Sequence, residues 1–217
     1  MRNQYIVKVL QIRQLTSSSF VLRFERGGLL FKAGQHIGVG LSGGIYKREY
    51  SIYSAEQDEF LEVLVREVPG GQISSQLAGC KPGDQLTIDG PSGLFRIERA
   101  DLSGKPCILV ATGTGISPFH SFVKTHPDID YHIYHGIRLK SEEYERWEYS
   151  EGRYFSCITS SPEGDYHGRV TDFFRETDLP SGLVYFICGN SRMIYEMNLI
   201  LIEKGVDEND ILLEVYF

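Results

Sequence analysis

Arg48-Glu49-Tyr50-Ser51 is the stretch of this 217-residue chain whose residue types come nearest to chemistry. It lies in a β-rich segment that runs on as Ile52-Tyr53-Ser54. Alternate side chains of a strand share a face, so Arg48 and Tyr50 point one way and Ser51 the other. A cation beside an aromatic plane suits a flavin nucleotide: the guanidinium meets a phosphate while the ring lies along the flexible part of the cofactor. The backbone and hydroxyl of Ser51 then reach toward the edge of the ring system. The same residues also fit an ordinary strand with an exposed arginine and a packed tyrosine, so the rest of the chain must decide.

Three loops carry further chemistry. Gly70-Gly71-Gln72-Ile73-Ser74 opens a short helix. Glycines before a helix N-terminus free backbone N–H groups for an anion such as a pyrophosphate, although a simple turn and N-cap would use the same residues. Thr112-Gly113-Thr114-Gly115-Ile116-Ser117-Pro118 follows a buried apolar run, with Ser117 suited to an N-cap and Pro118 to the first helical position. Its spacing is not Gly-x-Gly-x-x-Gly, which disfavours an ordinary Rossmann dehydrogenase. Cys188-Gly189-Asn190 ends another apolar run, where glycine permits close approach of a ligand and the thiol reads equally as a buried core group.

These loops need elements to hold them. Tyr5–Leu15, Phe20–Glu25, Gln35–Leu41, Arg48–Ser54, Glu59–Val68 and Gln85–Asp89 read as six short strands, with one helix at Ile73–Ala78. Such spacing predicts a small antiparallel barrel. After Arg96–Lys105 the rhythm changes. Pro106–Ala111, Asp130–His135, Tyr154–Thr159, Leu183–Cys188 and Ile211–Phe217 read as strands. Helices are expected from Ser117, over Ser141–Ser150, near Thr171–Glu176 and over Ser191–Lys204. Continuous apolar strands alternating with helices predict a doubly wound parallel α/β domain, whose ligands bind at the carboxyl ends of the strands.

Composition narrows the function classes. Residues 1–97 carry 11 Lys+Arg against 9 Asp+Glu, and residues 98–217 carry 11 against 20. The acidic second half argues against nucleic acid, and an acidic protein partner would dock mainly on the first half or on local basic spots. No apolar run approaches a membrane span, and the N-terminus lacks the apolar core of a secretory signal. The four cysteines are widely spaced and the six histidines show no metal-ligand pattern, so no metal is expected and a reducing, cytoplasmic setting is. His132 and His135 read as packing or surface residues, and Trp147 as structural. There is no Gly-x-Ser-x-Gly elbow.

Taken together, the motifs resemble the ferredoxin–NADP(+) reductase family over essentially the whole chain. Arg48-Glu49-Tyr50-Ser51 is similar to that family's Arg-x-Tyr-Ser flavin motif, and Gly71-Gln72-Ile73-Ser74 to its phosphate-binding helix start. Gly90-Pro91-Ser92-Gly93-Leu94-Phe95 resembles the loop that closes the barrel, Thr112–Pro118 the pyridine-nucleotide loop, and Cys188-Gly189 the pair beside the nicotinamide. Glu214-Val215-Tyr216-Phe217 resembles the terminal Glu-x-Tyr, with one further aromatic as in bacterial members.

The resemblance implies a six-stranded Greek-key FAD-binding barrel over residues 1–98 and an NAD(P)-binding α/β domain over 99–217. It implies FAD contacts at Arg48, Glu49, Tyr50, Ser51, Leu64, Val65, Gly71, Gln72, Ile73, Ser74, Thr112, Tyr216 and Phe217. It implies nucleotide contacts at Thr112, Gly113, Thr114, Gly115, Ile116, Arg138, Ser160, Arg169, Cys188, Gly189 and Asn190. Ser51, Cys188 and Glu214 would be the catalytic residues, and the terminal aromatic would stack on the flavin and shift to admit nicotinamide. The implied reaction passes a hydride from NAD(P)H to flavin N5, with the rings about 3–3.5 Å apart. Electrons then leave singly to ferredoxin or flavodoxin, with no membrane or nucleic-acid partner. Two departures stand out. The arginine that usually follows the serine on the 2′-phosphate is missing from Ser160-Ser161-Pro162, so Arg138 or Arg169 must compensate and NADPH is favoured over NADH only mildly. Asn190 stands where plant-type members have proline. The rival readings are an NAD(P)H:flavin reductase and the reductase component of an oxygenase.

Overall fold

The computed structural model describes residues 4–100, 102 and 104–216. Two compact units emerge. The first takes in the chain through Ile97 together with Ser117–Thr125, and the second takes Glu98–Ile116 and the chain from His126 onward.

The first unit is a six-stranded antiparallel sheet of β1 (Gln4–Gln14), β2 (Ser19–Glu25), β3 (His36–Leu41), β4 (Arg48–Ser51), β5 (Phe60–Arg66) and β6 (Gln85–Ser92). Its order is β4-β3-β6-β1-β2-β5, and a bridge between Ile52 and Val63 brings the two ends together into a nearly closed barrel. Closure removes the exposed strand edges that would otherwise invite pairing with other chains. Alternate residues fill the interior, among them Val7 and Val9, Ile37 and Val39, and Leu61, Val63 and Val65. Helix α1 (Gln72–Ala78) contributes Ile73 and Leu77 to the same core. Helix α2 (Ser117–Thr125) belongs here too, with Phe119 and Phe122 packed on Phe95 at ring distances of 6.0 and 5.8 Å. His120 stacks flat on Tyr53 at 3.7 Å, with Nδ1 2.6 Å from the Tyr53 carbonyl, and Ser121 donates to the Ser54 carbonyl at 2.7 Å.

The second unit is a six-stranded, all-parallel sheet in the order β10-β9-β8-β7-β11-β12. Its strands are β7 (Cys107–Thr112), β8 (Tyr131–Ile137), β9 (Tyr154–Ile158), β10 (Tyr166–His167), β11 (Val184–Asn190) and β12 (Ile211–Tyr216). Helices α3 (Val170–Glu176) and α4 (Ser191–Glu203) bury Phe174, Met193, Met197 and Leu201 against Ile108, Val110 and Ile187. The chain steps outward from β7 to β10 and then returns to the other side of β7. The crevice between the carboxyl ends of β7 and β11 is therefore the topological switch point, where sheets of this kind take their ligands. No helix among the described residues is long and apolar enough to cross a membrane.

The helix expected over Ser141–Ser150 does not form. Two 3-10 turns, Lys140–Glu142 and Arg146–Glu148, take its place, separated by Glu145 in the left-handed region at φ 47°. The buried apolar residues are Tyr144 and Tyr149, five apart and so on no common helical face, while Trp147 is 75% exposed and has no place in the core. The two-residue β10 was not legible beforehand.

Candidate functional site

On β4 the burial runs from exposed Arg48 and Glu49 through half-buried Tyr50 to buried Ser51. Arg48, Tyr50 and Ser51 pair with Val39, Ile37 and His36 of β3. Burial pushes the Tyr50 phenol up to about 12, opposed by the nearby Arg48 charge. Ser51 Oγ is buried and has no hydrogen-bond partner among the described residues. Leaving a buried hydroxyl unsatisfied costs about 1–3 kcal/mol, so the arrangement calls for a polar ligand atom there.

Gly71 caps α1 in an extended conformation without any side-chain cap, and its own N–H donates to the Val68 carbonyl at 2.8 Å. Ser74 is buried, with Oγ accepting from the Val68 N–H at 3.1 Å, Ile73 is in the core and Gln72 is exposed. The first-turn N–H groups lack a partner within the helix, which is what an anion needs. Leu64 and Val65 are both buried, and Val65 packs inside the barrel, so its side chain is committed to the core and only its backbone can serve a ligand. An uncapped helix start and a strand that ends in an orphaned buried hydroxyl each fit a part of a flavin nucleotide.

At the switch point, Thr112 ends β7 and a 3-10 turn follows over Gly113–Ile116. Thr112 Oγ1 accepts from the Asn190 backbone N–H at 3.4 Å and from Asn190 Nδ2 at 3.2 Å. Asn190 Oδ1 accepts from Met193 N at 3.0 Å and so caps α4. A Cβ on Gly115 would lie 2.4 Å from the Cys188 carbonyl oxygen, and one on Gly189 (φ 150°) 2.2 Å from Thr112 Oγ1. Both positions therefore need glycine. Cys188 pairs with Ala111 on one side and Glu214 on the other, and Asn190 pairs with Tyr216. Burial, and then the Glu214 carboxylate, hold the Cys188 thiol well above its ordinary range, with the Tyr216 hydroxyl pulling the other way. The sulfur is a protonated, neutral group at neutral pH. Phe217 lies outside the described residues.

The remaining expected nucleotide contacts lie at three neighbouring strand ends. Arg138 follows β8, Ser160 lies two residues past β9, and Arg169 lies two past β10. All three are exposed, and the Ser160 hydroxyl donates to the Arg138 carbonyl. Among the described residues neither guanidinium has an ion-pair partner.

One group at this site went unread in the sequence. His135 is buried, as a packing residue would be, but both ring nitrogens are engaged, with Nε2 2.8 Å from the Gly113 carbonyl and Nδ1 2.6 Å from the Tyr154 hydroxyl. The available signal was its phase, since Tyr131, Ile133, His135 and Ile137 are the inward residues of β8.

Comparison with known proteins agrees with this geometry. Residues 7–97 match the oxidoreductase FAD-binding domain and residues 109–198 the oxidoreductase NAD-binding domain. The ferredoxin–NADP reductase of Pseudomonas aeruginosa is 30% identical, over 95% of this chain and 92% of that protein. The reductase subunit of an aromatic O-demethylase from Amycolatopsis is 32% identical over 76% of this chain, but this chain spans only 55% of its length. The crystal structure of a ferredoxin NADP+ reductase from Neisseria gonorrhoeae with bound FAD and NADP shares the fold at a TM-score of 0.89, with 23% identity and 99% of each chain covered. The barrel with its uncapped helix start, the parallel sheet with its glycine-lined switch point, and these relationships lead to one assignment: the chain belongs to the ferredoxin–NADP(+) reductase family of FAD- and NAD(P)-binding oxidoreductases.

Proposed function

We propose that this protein passes electrons between NAD(P)H and a one-electron carrier protein such as a ferredoxin or flavodoxin, with residues 1–98 holding FAD and residues 99–217 the pyridine nucleotide. The observation that carries the reading is the buried Ser51 hydroxyl without a partner, at the end of the strand that presents Arg48 and Tyr50. When bound, FAD supplies the conversion between paired and single electrons. The chain's own residues bind and orient. Arg48 and the first-turn N–H groups of α1 would neutralise the pyrophosphate, Tyr50 would lie along the flexible part of the cofactor, and the Ser51 hydroxyl would hydrogen-bond the ring edge. Thr112, the turn Gly113–Ile116 and Gly189 would receive the dinucleotide backbone. Cys188, kept protonated, would offer a neutral surface to nicotinamide, and Glu214 would hold a hydrogen bond beside it.

Arg138 and Arg169, exposed and without carboxylate partners, suit a 2′-phosphate and favour NADPH. Ser160 is less suited, because its hydroxyl hydrogen is already donated to Arg138. A second reading, the reductase of an oxygenase system, is favoured by the relationship to the O-demethylase reductase subunit. The test is to identify the bound flavin and then measure acceptor reduction with NADPH and NADH side by side, using ferredoxin, flavodoxin and free flavin as acceptors. A colourless protein that binds no added FAD would end the enzymatic reading. Efficient use of free flavin, with flavin lost on purification, would replace the carrier by a flavin substrate. Arg169→Ala should lower kcat/KM for NADPH about tenfold while sparing NADH, and equal loss for both nucleotides would remove Arg169 from the 2′-phosphate.

A further inference from the structure

We propose that His135 and Tyr154 are a positioning pair for the nucleotide loop: acting through the Gly113 carbonyl, they hold the turn Gly113–Ile116 in the shape that receives the dinucleotide. The proposal rests on the reading of that loop as the NAD(P) site.

A carbonyl can only accept, so at 2.8 Å from Gly113 the His135 Nε2 must carry the hydrogen. In a neutral imidazole Nδ1 is then bare, and the Tyr154 hydroxyl at 2.6 Å donates to it. Burial favours this state at both ends, keeping the imidazole neutral and the phenol protonated. The donors therefore run in one direction, from Tyr154 through His135 to the loop. A ring held at both nitrogens has one orientation and one tautomer.

Gly113 sits at φ 53°, and a Cβ there would meet nothing within 4 Å. One side of the turn is thus open and the other is held by the imidazole. In a planar trans peptide the carbonyl and the following N–H point in opposite directions. Fixing the Gly113 carbonyl on His135 therefore fixes the direction of the Thr114 N–H. Tyr154 is itself held: its ring stacks on Tyr149 at 5.4 Å, and the Arg146 guanidinium lies 5.0 Å from its centre. Replacing Tyr154 by phenylalanine would delete the hydroxyl and leave those ring contacts in place.

A histidine that only packs would be replaceable by an apolar residue without effect on nucleotide affinity. The test uses the flavin-loaded protein and its His135→Leu, His135→Gln and Tyr154→Phe variants. Binding of NADP+ and NAD+ is measured by calorimetry, alongside flavin-to-protein ratio, melting temperature and steady-state kinetics. His135→Leu should weaken nucleotide binding about tenfold, the equilibrium value of one buried hydrogen bond. Tyr154→Phe should weaken it about threefold or more. His135→Gln, which keeps an N–H donor within reach of Gly113, should stay within about threefold of the parent. KM should rise with kcat and flavin content unchanged. The proposal is overturned if His135→Leu and Tyr154→Phe bind like the parent, if glutamine fails as badly as leucine, or if lost affinity comes only with lost flavin and lowered melting temperature. If the parent binds neither nucleotide, the reading of the loop fails and this proposal fails with it, before any variant is made.

Discussion

Acid should destabilise this protein through His135 in a way that one substitution removes. Burial drives the imidazole from its ordinary 6.5 down to about 4, against the opposing pull of the Gly113 hydrogen bond and the Glu142 charge. Between those values the unfolded chain binds a proton that the folded chain does not, so stability rises with pH across this window. The contribution is fully present above pH 6.5, is lost progressively as pH falls, and stops changing below about pH 4. At about 1.4 kcal/mol per pH unit the whole window is worth about 3 kcal/mol, and the part between pH 6.5 and 5 about 2 kcal/mol. For a chain of this length that is roughly 4–8 °C in melting temperature. The assay is thermal melting of the parent and His135→Gln at pH 7, 6 and 5. Whatever separates the two at pH 7, the parent should lose about 4–8 °C relative to the variant by pH 5. His132, whose pKa is lowered by partial burial, is common to both proteins and cancels in the difference. A parent–variant gap that stays constant from pH 7 to 5 would mean that His135 does not become a buried, neutral group on folding.

Three further outcomes follow from the site. Ser51→Ala should leave the flavin-free protein as stable as the parent, or more stable by up to about 1 kcal/mol, because it deletes a buried hydroxyl without a partner. The loaded variant should be reduced by NADPH about tenfold more slowly, and stopped-flow traces identical to the parent's would remove Ser51 from the ring edge. Gly189→Ala should cost about 2–3 kcal/mol in denaturant unfolding, since a Cβ there meets Thr112 Oγ1 at 2.2 Å on a backbone with φ 150°, and a neutral result would show that the approach relaxes freely. Tyr216→Ala should change the affinity for oxidised nucleotide more than the melting temperature, and unchanged binding with a large loss of melting temperature would count against the stacking role.

Most of the architecture was legible because its signals are local. Alternating apolar residues punctuated by Ser17-Ser18-Ser19, Gly27-Gly28 and Lys81-Pro82-Gly83-Asp84 gave the barrel strands, and unbroken apolar runs gave β7 and β11. Where reading failed, the deciding interaction was one that no sequence motif marks. The segment 141–150 has helix-favouring residues, but burial of Tyr144 and Tyr149 and the bonds from the Arg138 and Leu139 N–H groups to the Glu142 carboxylate fold it into separate turns. Helix α2 follows β7 in sequence, which alone places it with the sheet, yet Phe119, Phe122 and His120 attach it to the barrel unit. The residues expected at the site lie in short sequence motifs, while His135 carried no motif because its partners lie 19 and 22 residues away.

The departure at Asn190 illustrates how the proposed nucleotide loop is built. Plant-type members of the family have proline there, and proline fixes φ near −65° covalently. Asn190 has φ −71°, so the backbone already has the proline-like value. Here hydrogen bonds surround that conformation: Oδ1 caps α4 at Met193, and the backbone N–H and Nδ2 both reach Thr112 Oγ1. Thr112 is thereby tied to β11, Gly115 lies against the Cys188 carbonyl, and Gly113 is tied to β8 through His135. Strands on both sides of β7 thus hold the one loop, and each tie is a polar bond or a close backbone contact that tolerates little displacement. Rigidity of this kind lowers the ordering cost of binding. It follows that substitutions at Asn190 or His135, neither of which needs to touch the reacting atoms, should act on nucleotide affinity before they act on the rate at saturation.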